Sequence, residues 1–106
     1  TDWARIVELY DHLLALTPNP VVALNKAVAV AEVQGPQAAL ELVEACALEQ
    51  FYLFHAIRAD LLDRCGRDAD ALAAYDIAIA KAENEVECAL LKRKRAAVLD
   101  RSVKER

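Results

Sequence analysis

Few side chains in this sequence are of a type that does chemistry on its own. Two histidines, His12 and His55, and three cysteines, Cys46, Cys65 and Cys88, are the candidate bases, nucleophiles and metal ligands. A nucleophilic cysteine needs a base within reach, and a zinc site needs closely spaced Cys or His pairs. The spacings offer neither. There is no CxxC, no HExxH and no glycine-rich phosphate loop, because the chain has only two glycines. The cysteines read as small buried hydrophobes in a reducing cytoplasm. His55 lies among apolar residues and reads as a hydrogen-bonded structural histidine. The many carboxylates fall on helix faces that point to solvent. No catalytic residue, metal or cofactor is expected, and the chain does not read as an enzyme.

What remains is the chemistry of binding. Asn25 stands in a very apolar stretch, where an amide is costly unless paired. It either hydrogen-bonds an extended peptide or ties neighbouring helices together. Arg58 has the same two readings, an internal pair with a carboxylate or a contact to a partner. The run Lys92, Arg93, Lys94 and Arg95, with Arg101, Lys104 and Arg106, makes one end of the chain basic. Residues 1–91 carry fifteen acids and six bases, and residues 92–106 carry seven bases and two acids, so the net charge of −4 hides an asymmetry. Four consecutive residues point around a helix and not along one face. The run is either a solvated surface or a contact to DNA or to an acidic protein surface. Few interleaved aromatics speak against single-strand binding.

The elements that would position these residues are all helices. The composition is 57% hydrophobic with 6% aromatic, dominated by alanine and leucine, and no apolar stretch approaches the length of a membrane span. Trp3, Ile6, Val7, Tyr10, Leu13 and Leu14 repeat at helical spacing, so the first helix is expected from Trp3 to Leu16, with Asp2 as its N-cap. Asn19 caps a second helix with Pro20 at its first position, and Gly35 stops it in a left-handed conformation. Its inward stripe is Val21, Leu24, Ala27, Val28 and Ala31. Pro36 opens the third, with Ala39, Leu40, Leu42, Val43 and Cys46 inward. The fourth spans residues 50–65 with Phe51, Phe54, Ile57, Leu61 and Leu62 inward, and Gly66 stops it. The fifth spans residues 68–82. The sixth starts at Asn84, where Asn84 and Glu87 make a capping box, and frays from Ser102.

Gly35 and Gly66 sit at corresponding turns. After Gly66, Ala71, Tyr75 and Ala78 fall where a tetratricopeptide repeat places its small, aromatic and small residues, and Ala59 precedes the turn as a further small residue. The expected fold is all-α, a right-handed superhelix of antiparallel helix pairs. It divides into a half repeat (1–18), two repeats (19–48 and 49–83) and a capping helix (84–101). The first helix of each pair lines the concave face of such a superhelix. Counting back from the glycines, that face comprises Asn25, Ala29 and Glu32, then Ala56, Asp60 and Asp63.

The segments Asp2–Asp11, Leu16–Ala29 and His55–Leu62, continuing to Gly66 and Arg67, resemble the C-terminal extension of a group of bacterial extracytoplasmic-function RNA polymerase sigma factors. At Lys26 that family usually has arginine. Lysine keeps the charge and loses the planar fork. The resemblance implies a tetratricopeptide-like interaction domain, in the cytoplasm, that serves transcription initiation. Its implied partners are the sigma factor's own N-terminal regions, the polymerase or a regulator, with DNA bound only through the parent protein. The absence of methionine and the Thr1-Asp2 start fit a fragment. An unpaired first helix would then show an apolar face to the parent chain or to a second copy.

Overall fold

A computed structural model describes residues 1–46 and 48–104. It contains six α-helices among those residues: α1 (Trp3–Leu16), α2 (Pro20–Gln34), α3 (Pro36–Cys46), α4 (Tyr52–Arg64), α5 (Asp68–Lys81) and α6 (Glu85–Lys104). They fall into two compact units, Thr1–Leu48 with α1 to α3 and Glu49–Arg106 with α4 to α6. Links of three residues or fewer turn the chain back, so successive helices of a unit are antiparallel.

In the first unit, α2 packs against both α1 and α3. Asp2 accepts a hydrogen bond from the Arg5 amide and starts α1. Asn19 does the same for α2, taking the Val21 amide at 2.9 Å, with Pro20 at the first position. The core comprises Leu24, Ala27, Val30, Ala31, Ala39, Leu40 and Val43. Each of the larger ones contributes about 1.5–3 kcal/mol by leaving water. Several expected core positions are open instead. Val21, Val28 and Leu42 are exposed, as are Trp3 and Leu13 of α1, which has no fully buried residue. Helix α2 buries the faces turned to α1 and α3, and Val21 and Val28 lie on neither.

In the second unit, α5 packs against α4 and α6. Phe54, Ala59, Leu61, Leu62, Ala71, Ala74, Tyr75, Ala78, Leu91 and Val98 are its buried apolar residues. Helix α4 begins at Tyr52, two residues later than its spacing suggests, and exposed Phe51 stands at the N-cap without a side-chain cap bond. Helix α6 runs on to Lys104, past the fraying expected at Ser102. Arg101 holds that end down by pairing with Asp63 and Asp68.

The two glycines stop helices differently. At Gly66 (φ 77°) the Arg67 amide reaches the Leu62 carbonyl and the Gly66 amide reaches that of Asp63, both at 3.0 Å, which is a Schellman motif. Gly35 has φ 92° and ψ 164°, an extended mirror-image conformation and not the left-handed helical one expected of it. A one-residue link needs that sharper reversal before Pro36 restarts the helix. Asn84 caps α6 by accepting the Glu87 amide at 2.8 Å, and the Glu87 carboxylate reaches back to the amide of Glu83.

Candidate partner-binding surfaces

Helix α2 presents one open stripe. Val21, Asn25, Val28 and Glu32 recur at spacings of four, three and four, and all four are exposed. The Asn25 amide therefore meets water and bears no burial cost. Ala29, expected on the same face, is 2% exposed. It lies one residue round from Val28 and turns inward, so its side chain is out of a partner's reach. The open stripe alternates two methyl-bearing contacts with an amide that can both donate and accept.

The corresponding residues of α4, Ala56, Asp60 and Asp63, are half-buried, as is Arg58. Asp60 and Asp63 belong to a polar cluster within the second unit. Asp63 Oδ1 lies 2.6 Å from Nη2 of Arg101, and Asp68 at the start of α5 takes the same guanidinium nitrogen. These two carboxylates hold the Arg101 guanidinium firmly charged. The Tyr75 hydroxyl sits within the field of this group. Burial pushes its pKa well above the ordinary value, and the charges of Asp60 and Asp63 push it further. Arg101 had no signal in the sequence beyond membership of the basic end, because its partners lie 33 and 38 positions away. The cluster is a clamp on α6 and leaves Asp63 engaged.

The basic run divides. Arg95 turns toward α5 and pairs with Asp76 through Nε at 2.6 Å. Lys92, Arg93 and Lys94 are exposed and, among the described residues, carry no ion pair. Arg106 lies outside the described residues.

Among the potential chemical groups, His12 is exposed on α1, and His55 is 6% exposed. The His55 ring donates from Nε2 to the Glu49 carbonyl at 2.5 Å and stands edge-on to Phe54, while Nδ1 is buried without a partner. Cys46, Cys65 and Cys88 form no disulfide and are half-buried, more open than the buried packing read from the sequence. Burial raises the Cys46 pKa and keeps it a thiol, which donates to the Leu42 carbonyl. No group of three His, Cys, Asp or Glu side chains among the described residues is placed to hold a metal ion. No helix among them is long and apolar enough to cross a membrane.

Comparison with known proteins gives one informative likeness. An uncharacterized protein of Rhizobium meliloti (strain 1021) is 45% identical to this chain over 94 residues, which is 87% of the chain and 22% of the relative. The chain thus spans about a fifth of that curated relative's length. No family model matches the chain, and no solved structure matches it.

Proposed function

We propose that this chain is a protein-interaction module of the tetratricopeptide-like kind, belonging to an extracytoplasmic-function sigma factor and acting in transcription initiation in the cytoplasm. Its helix pairs would coil into a right-handed superhelix. The partner is the sigma factor's own N-terminal regions, the polymerase or a regulator. The observation that carries the binding role is the open Val21–Asn25–Val28–Glu32 stripe on a helix packed between α1 and α3. Support for the repeat comes from Gly35 and Gly66, both at positive φ at the turn inside a helix pair. Support for a piece of a larger machine comes from the much longer relative. Exposed Trp3, Leu9, Leu13 and Leu16 on α1 suit a further contact, with the parent chain or with a second copy.

Asn25→Ala combined with Val28→Lys is expected to lower capture of the partner, in pull-downs with the full-length protein, by about tenfold or more, the loss typical of an interface anchor. Both positions are exposed, so the thermal midpoint should stay where it is. Undiminished capture and undiminished sigma-dependent transcription would remove the stripe from the binding surface.

A second reading is an accessory DNA contact through Lys92, Arg93 and Lys94, favoured by their exposure and by their carrying no ion pair among the described residues. It requires a gel shift at low salt that fades steeply as salt rises.

A further inference from the structure

The first unit has a groove on the side of α2 away from the open stripe. Val7 and Asp11 of α1 form one wall, Ala38, Glu41 and Leu42 of α3 the other, and Val30 of α2 the floor, enclosing a cavity of about 400 Å³. Its two acids and one base are not equally free. Lys26 Nζ lies 2.7 Å from Asp11 Oδ1, so that pair is spent. Glu41 is exposed and carries no ion pair among the described residues. The charge left over in the groove is a carboxylate.

The outer surface of α6 is the complement. Val86, Leu90, Arg93 and Ala97 follow one another at four, three and four residues and are all exposed, with Val86 at 81%. Lys94 flanks them. The one base of the run with an internal partner, Arg95, points the other way. The charges left over on this face are cations. A helix stripe of apolar residues bearing a cation, facing a groove of mixed apolar and polar lining with a spare carboxylate, is the helix-in-groove mode of recognition.

We propose that the α1–α3 groove receives the α6 outer face of a second copy of this chain, with Val86, Leu90 and Ala97 on Val7, Ala38 and Leu42, and Arg93 paired with Glu41. The contact is heterologous, because groove and helix are different surfaces. Two copies close into a dimer if each fills the other's groove, and otherwise assembly continues head to tail. The inference goes beyond the sigma-factor reading and does not depend on it.

Sedimentation velocity of the 106-residue chain over a range of concentrations tests it, without any nucleic acid present. Self-association is expected at low salt and should weaken as salt rises. Glu41→Lys and Arg93→Glu should each reduce the association constant by about tenfold, as one attraction becomes a repulsion. Mixing the two variants should restore association, since each then supplies what the other lacks. Glu41→Gln replaces the first variant if circular dichroism shows that it has lost helix. A chain that stays monomeric at low salt would overturn the proposal, and with it the second copy as occupant. Association that ignores both charge reversals, or a mixture that fails to recover, would overturn it equally.

Discussion

Tyr75 shows how one residue records its surroundings. Its ring is 1% exposed, and burial first, then the charges of Asp60 and Asp63, disfavour its phenolate. The folded state therefore holds the phenolic proton more tightly than the unfolded chain does. The stability tied to that proton is complete below the unfolded value, about pH 10, and is lost as the pH rises through the higher folded value. Tyr75→Phe should flatten the alkaline limb of a stability-against-pH curve measured by urea unfolding, while Tyr52→Phe should flatten it less. Equal limbs for wild type and Tyr75→Phe would refute the assignment. The sequence placed Tyr75 inward through its repeat position. It said nothing of the guanidinium and its carboxylates around it, because Arg101 lies 33 and 38 positions along the chain from its partners Asp68 and Asp63. Asn25 is the opposite case. Its apolar neighbours in sequence suggested burial, and only the division of α2 into packed and open faces puts it in water.

Helix boundaries were the part of the fold most readable in the sequence, because each is set by local chemistry. Asp2, Asn19 with Pro20, Gly66 and Asn84 do in the structure what their types require. Which face a helix buries was less readable, because Val21 and Val28 have the same apolarity as residues of the core. The two glycines also separate in cost. An added Cβ would meet nothing within 4 Å at either, so only the backbone penalty counts. Gly66→Ala should lose about 1–2 kcal/mol, the cost of a left-handed conformation. Gly35→Ala should lose more, about 2–3 kcal/mol, since its region of backbone space is almost closed to other residues. Denaturant midpoints of the two variants measure the order, and a smaller loss at Gly35 would contradict the geometry. Proline at position 36 narrows the escape routes further.

At the scale of the whole molecule, charge is the property that organises what can meet what. An acidic body and a basic last helix were countable from the sequence. The count could not tell which charges the fold consumes. Asp11 with Lys26, Asp76 with Arg95, and Asp63 and Asp68 with Arg101 are used internally, while Glu41 and the run from Lys92 to Lys94 are among the charges that carry no ion pair among the described residues. Which charges stay unpaired was not visible before the ion pairs were known.

The chain's two histidines sit one in each unit, and their surroundings differ sharply. His12 is open to solvent, whereas both ring nitrogens of His55 are shielded, one by the Glu49 carbonyl and one by burial. They form a natural pair of clocks for acylation by diethylpyrocarbonate. His12 should react at once, and His55 only as fast as the start of α4 opens. Read by mass spectrometry under gradually harsher conditions, the slow clock would time the local opening of the second unit without any substitution in the chain. Equal rates at the two sites under native conditions would mean that the start of α4 is already open.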